Sequence, residues 1–325
     1  MEITKSKAKL WSKLGSRATY GQAVQSLPEE YPEVLAMSAD LGNSSGLAPF
    51  IRKYPEKFIN IGIAEQNMIG VASGLAKEGF MPFVSSFAPF LSMRASEQIR
   101  MELGYMKFNV KVVALGSGLA MSFLGNSHYG LEDIAIMRTI PGLTILSPAD
   151  CSEITKVVHA AAKHEGPVYI RLTGGPNNPV VYDEDYDFEI GKSRTIRKGE
   201  DIALIATGTM VAKSLEAAEI LSSKNIEAEV VNMHTIKPFD SKKLVELSKR
   251  NIPIVSVEEH TIIGGLGSAI AENLSRLGIN VPLRILGLED KFGKTAEYAH
   301  LIKLHGLDGP GIADSVTGFF TGISK

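Results

Sequence analysis

The chain has 325 residues, with 34 Lys+Arg against 36 Asp+Glu and a formal net charge of −2; at about 150 residues per domain, that length suits two domains. A near-neutral balance without a run of Lys or Arg excludes a charge-driven nucleic-acid binder. With Cys151 as its one cysteine the chain can form no internal disulfide, its first residues hold no signal-peptide core, and no stretch is long and apolar enough to span a bilayer. The expectation is a cytoplasmic globular protein that engages neither nucleic acid nor membrane.

Short apolar runs ending in turn residues alternate with helical patterns along the chain. Strands are predicted over 33–40, 110–115, 143–147 and 168–172, and a helix over 152–164, where apolar residues recur at helical spacing. The second half repeats the theme, with strands at 202–206, 228–233, 253–257 and 283–286 and helices at 210–224, 241–249 and 267–277. This alternation reads as βαβ units: an α/β fold of two domains, each a mostly parallel sheet flanked by helices. Between the halves, GGPNNP followed by the acidic YDEDYD is linker chemistry. The expected division is a first domain at 12–180, a linker at 181–194 and a second domain at 195–325.

Ligands of open α/β sheets sit at the carboxyl ends of strands, and four such places carry polar chemistry. The first is ADLGNS, with Asp40 and Ser44, where Asp, Asn and Ser serve a ligand or equally a turn or helix cap. The second is FINIGIAEQNMIGVASGLA, in which a short strand runs into a helix that begins near Glu65. The helix dipole alone favours an acid there, but the position is also a strand end, and Gly70, Ala72, Ser73 and Gly74 leave one helix flank nearly bare. In the third, FMPFVSSFAPFLSMRASEQIR, phenylalanines at 80, 83, 87 and 90 have the spacing of a helical core stripe. Pro82 and Pro89 break a continuous helix, so the later rings are expected to line a turn, where they can form a slot for a flat heterocycle. The fourth is the polar loop GNSH, which carries His128.

Arg171, inside the apolar run VYIRL, must either pair with an internal carboxylate or point from the strand end at an anion. No P-loop or G-x-S-x-G elbow is present, and close helix packing accounts for IGGLGS better than a dinucleotide fingerprint does. No Cys or His spacing suits a metal.

Taken in order, SADLGNS (38–44), NIGIAEQNMIGVASGLA (60–76), PFVSSFAPFLSMRASEQIR (82–100), GNSHYGLEDIAIMR (125–138), TILSPAD (144–150) and VYIRL (168–172) carry a family likeness. From about Arg17 onward the chain resembles the C-terminal half of transketolase, a pyrimidine-binding domain followed by the transketolase C-terminal domain. The resemblance implies thiamine diphosphate chemistry and site roles. Glu65 aligns with the glutamate that bonds N1′ of the aminopyrimidine and stabilises its imino tautomer, whose nitrogen takes the thiazolium C2 proton. Phe87 and Phe90 match the aromatic pair that holds this ring, and Asp40 an aspartate of the cofactor region. His128 matches a histidine facing substrate, and Arg17, Ser44 and Arg171 match residues that hold the sugar phosphate. Two positions depart from the family. Leu124 stands where it has an aspartate that reads a sugar hydroxyl, and Gly116 where it has a histidine, so sugar specificity is not carried over.

The family holds the diphosphate and its Mg²⁺ or Ca²⁺ through a Gly-Asp-Gly loop and a following Asn in an N-terminal domain. No such run precedes Arg17, and Leu307-Asp308-Gly309 is a near match without its continuation. A diphosphate bound without those ligands would keep uncompensated charge. The resemblance therefore implies the C-terminal subunit of a split transketolase, assembled as α₂β₂ with a separate diphosphate-binding subunit and acting on sugar phosphates. Two further enzymes stay open, the β subunit of a 2-oxoacid dehydrogenase and a deoxyxylulose-phosphate-synthase-like enzyme, as does a non-catalytic assembly subunit. AEQNM and SSFAPFLSMRASEQ favour transketolase.

Overall fold

The computed structural model describes residues 1–323. Its strands are β1 (Val34–Ser38), β2 (Phe58–Asn60), β3 (Met81–Phe87), β4 (Lys111–Leu115), β5 (Thr144–Leu146), β6 (Val168–Arg171), β7 (Arg194–Arg197), β8 (Ile202–Ala206), β9 (Ala228–Asn232), β10 (Thr235–Lys237), β11 (Ile254–Thr261) and β12 (Leu283–Leu288). They form a seven-stranded sheet, ordered β10-β5-β6-β4-β3-β1-β2, and a five-stranded sheet, ordered β12-β11-β8-β9-β7. All pairings are parallel except those of the edge strands β10 and β7. Each strand and helix predicted from periodicity forms with its ends moved by a few residues, and β11 runs furthest past its predicted end, to Thr261.

Periodicity missed the short edge strands β7 and β10 and, among the longer strands, β3. All seven of its residues are buried between β1 and β4, and a strand covered on both faces shows no alternation to read. The helical spacing of the phenylalanines is therefore coincidental: Phe83 and Phe87 lie in this strand, and Pro82 is paired in register with Leu35. The chain then widens into a π-helical turn, Phe90–Arg94, a local irregularity of the kind found at functional sites.

Two features join the halves more closely than the linker composition foretold. The linker has no regular structure, but the amides of Val181 and Tyr182 donate to Asp150 Oδ2 at 2.7 and 2.8 Å, and the Tyr186 hydroxyl donates to Glu153 Oε1 at 2.7 Å. Asp150 N-caps the helix Cys151–Lys163, so the segment is fastened to the first domain over 181–186, while Gly191 and Ser193 donate to Thr235 and Asp240 beyond it. The second feature is β10, which comes from beyond the linker yet pairs antiparallel with β5 at the edge of the first sheet. Among the described residues no helix is long and apolar enough to cross a membrane.

Candidate active site

Strand β2 ends at Asn60, the chain turns through Gly62 at φ +77°, and a helix runs from Glu65 to Lys77. This turn sends the Glu65 side chain inward, where it is 1 % exposed. Burying a carboxylate is costly unless donors compensate it, and two do. Ser86 Oγ, near the carboxyl end of β3, donates to Glu65 Oε1 at 3.0 Å, and Arg94 Nη1 donates to Oε2 at 2.7 Å. Sequence reasoning missed both donors.

Arg94 has a second contact. Its guanidinium carbon lies 4.2 Å from the centroid of the Phe90 ring, a cation–π arrangement. Phe87 and Phe90 meet edge to face at 6.1 Å, and the His128 ring stands edge-on to both, at 5.7 and 5.3 Å. Ser127 Oγ and His128 Nδ1 are 2.9 Å apart. The structure thus brings Glu65, Phe87, Phe90 and His128 together at the strand ends, with Arg94 and Ser86 as additions. A desolvated carboxylate beside two aromatic rings suits a flat heterocycle with a basic ring nitrogen.

Arg17 and Ser44 form a second group. Gly15, at φ +83°, separates two short helices and packs so closely on Gly175 that a Cβ would come within 2.7 Å of its carbonyl carbon. That turn brings Arg17 beside Asn43 and Ser44 in a cavity of about 360 Å³, and Arg17 Nη1 donates to the Ser44 carbonyl at 3.1 Å. Asp40 is exposed and left-handed, at φ +60°, and is tied to Asn60 by its own amide at 3.0 Å and by its Oδ1 at 3.1 Å. It caps no helix: it locks the end of β1 to the end of β2.

At the two positions that depart from the family, apolar groups take over. Gly116 is left-handed, and a Cβ there would sit 2.6 Å from Met121 Cγ. Met121 therefore fills the space of a side chain at 116, while Leu124 is half exposed on the same loop.

Arg171 lies apart from both groups. It is fully buried and reaches no anion-binding surface. Its Nε donates to both Asp133 oxygens at 3.0 Å, and Nη2 donates to the carbonyls of Gly130 and Glu259 at 3.1 and 2.8 Å. The structure shows the internal-carboxylate pairing, leaves Arg171 Nη1 buried without a hydrogen-bond partner, and does not place Arg171 in the cavity of Arg17 and Ser44. Burial works against its charge, but Asp133 and Glu259 raise its proton affinity overall. IGGLGS is explained by packing, as expected: Glu258 accepts from the amides of Leu266 and Gly267 at the start of the helix Leu266–Leu277.

Comparison with known proteins bears on these arrangements. Residues 12–175 match the transketolase pyrimidine-binding domain, and residues 191–312 match the transketolase C-terminal domain. A relative from Methanocaldococcus jannaschii, named after the C-terminal section of transketolase, is 42% identical and covers 93% of this chain and 95% of its own. The 6-deoxy-6-sulfo-D-fructose transketolase subunit SqwH of a Clostridium species is 38% identical over 90% of each chain. A solved structure described as a split gene transketolase, inactive beta4 tetramer, superposes with a TM-score of 0.88 at 40% identity, covering 95% of this chain and 99% of that one. The chain therefore belongs to the transketolase family, as a pyrimidine-binding domain followed by a transketolase C-terminal domain.

Proposed function

We propose that this chain is the C-terminal subunit of a two-chain transketolase, moving a two-carbon ketol unit from a ketose phosphate to an aldose phosphate. The observation that carries this reading is the buried Glu65 carboxylate, linked through Arg94 to the ring cluster of Phe90, Phe87 and His128. These residues fit the pyrimidine half of thiamine diphosphate, on which the transketolase family depends: a desolvated carboxylate for the ring nitrogen and aromatic edges for the ring. Bound thiamine diphosphate would supply the nucleophilic carbon and the electron sink. Support for a divided enzyme comes from relatives named as a section and a subunit, both covered over at least 90% of their length. In this reading the diphosphate and its Mg²⁺ or Ca²⁺ belong to an N-terminal-type partner subunit, and the assembly is α₂β₂.

The chain's own residues take distinct parts. Glu65 exchanges a proton with the pyrimidine ring nitrogen. Phe87 and Phe90 hold the ring and keep water from it, and Asp40 steadies the strand ends beside them. Ser127 engages His128 Nδ1, leaving Nε2 for a substrate hydroxyl. Arg17 and Ser44 hold the sugar phosphate, since a flexible cation beside a hydroxyl in an open cavity suits a phosphate dianion. Leu124 and Met121 shape the sugar pocket with apolar surface.

Two measurements test this. The chain alone is expected to show no ketol transfer, and addition of a diphosphate-binding subunit to restore it across a panel of ordinary, branched and sulfonated ketoses. Robust transfer by the single chain would defeat the two-chain reading. In the restored enzyme Arg17→Ala should raise KM for a phosphorylated donor by about 10-fold or more, the worth of one charge-assisted contact. KM for the unphosphorylated sugar should stay nearly constant, and equal shifts in both would remove Arg17 from the phosphate site.

A further inference from the structure

The loop 116–130, which carries His128, Leu124 and Gly116, is fastened from the second domain. Glu259, near the end of β11 and 1 % exposed, accepts from the Leu119 amide at 2.6 Å. Its other oxygen accepts from the hydroxyls of Thr209 and Tyr298, both at 2.8 Å. Its carboxyl group crowds Gly118 so closely that no Cβ fits there. Further along the loop Asn126 and Gly293 exchange a pair of hydrogen bonds, Nδ2 to the carbonyl at 2.8 Å and the amide to Oδ1 at 3.0 Å. The Tyr129 hydroxyl donates to the Lys294 carbonyl at 3.0 Å. Arg171 closes the base of the loop by bridging the carbonyls of Gly130 and Glu259.

None of these bonds reaches Glu65 or Phe87. The carboxylate is held by Ser86 and Arg94 of the first domain, and Phe87 belongs to β3. The two sets of candidate functional groups are thus hydrogen-bonded separately, the carboxylate to Ser86 and Arg94 of the first domain and the histidine loop across the domain boundary, and they meet where the His128 ring stands against Phe87 and Phe90. Burial pushes the Glu259 carboxyl above its ordinary range, and its oxygens accept from the Leu119 amide and the Thr209 and Tyr298 hydroxyls, as suits a bracket for backbone.

We infer that Glu259, with the Asn126–Gly293 clip, positions the His128 loop, so that the C-terminal domain tunes sugar binding without touching the cofactor. The sugar-binding half of this statement rests on the proposed function, whereas the loop-fixing half does not.

The test has two arms. In the full chain alone, amide hydrogen exchange over 117–130 is expected to quicken by about 10-fold or more in Glu259→Ala, which removes the acceptor of the Leu119 amide, and in Asn126→Ala, which unfastens the loop from Gly293 and lets it open locally. Exchange over 65–77 should be unchanged. Glu259→Gln retains an oxygen for the Leu119 amide and should restore wild-type exchange, whereas Glu259→Met, which fills similar space without that acceptor, should not. Asn126 lies on the surface, so its variant carries the arm if Glu259→Ala does not fold. In the two-chain enzyme Asn126→Ala should raise sugar KM by roughly 10-fold with the thiamine diphosphate activation constant within about twofold. Unaltered exchange over 117–130 in Asn126→Ala would overturn the inference, as would equal movement of both kinetic constants. If the wild-type pair transfers no ketol unit, the functional reading fails, and the exchange arm still decides the positioning role.

Discussion

Glu65→Gln in the assembled enzyme is expected to lower kcat by roughly 10²–10⁴-fold, the range for loss of a positioned proton-transfer group. The fold should tolerate the change. A glutamine can turn its oxygen to Arg94 Nη1 and its amide to the Ser86 hydroxyl, which accepts as well as donates. Thermal unfolding should accordingly move by only a few degrees, less than about 1 kcal/mol for a chain of this size, and subunit assembly should be intact. The amide cannot exchange a proton at neutral pH, so the rate loss separates chemistry from structure. Initial rates beside a melting curve make the measurement, and a variant with unchanged kcat would remove Glu65 from the reaction.

Replacing Arg171 by methionine is expected to act on the opposite quantity. Its partner Asp133 is also fully buried, and removing one member of a buried pair leaves an uncompensated charge that costs about 3–5 kcal/mol. The melting temperature should fall sharply, while any kinetic loss falls equally on phosphorylated and unphosphorylated substrates. Adding Asp133→Asn in the same chain should recover much of the stability, because the stranded charge is gone; the double-mutant cycle reads that coupling directly. A selective rise in KM for phosphorylated sugars at unchanged stability would return Arg171 to the phosphate site.

The regular elements were legible because parallel βαβ units announce themselves in short apolar runs and helical periods. Besides the short edge strands β7 and β10, the exception is β3, which has apolar and small residues on both faces, and two prolines nearby read as interruption although one of them sits inside the strand. At the site, Glu65, Phe87, Phe90 and His128 were identifiable by their places at strand ends and in loops. Their bracing was not. Arg94 lies 29 residues from Glu65, Asp133 lies 38 from Arg171, and Asn126 lies 167 from Gly293, separations at which no local spacing marks a pair. Arg171 shows the limit of transferring a role by position, since burial decides whether an arginine faces a ligand or a carboxylate.

The edge strand β10 bears on how the molecule comes into being. Residues 235–237 complete a sheet whose other six strands all lie before residue 172. During synthesis the first domain can pair those six strands, but the edge of β5 stays open until some sixty further residues have emerged. An open edge is a template for foreign strands, so the interval between making β6 and delivering Lys237 is when the nascent chain is most exposed to misassembly. The same arrangement means that a cut in the linker would not free two independent halves: the first would leave with its sheet one strand short.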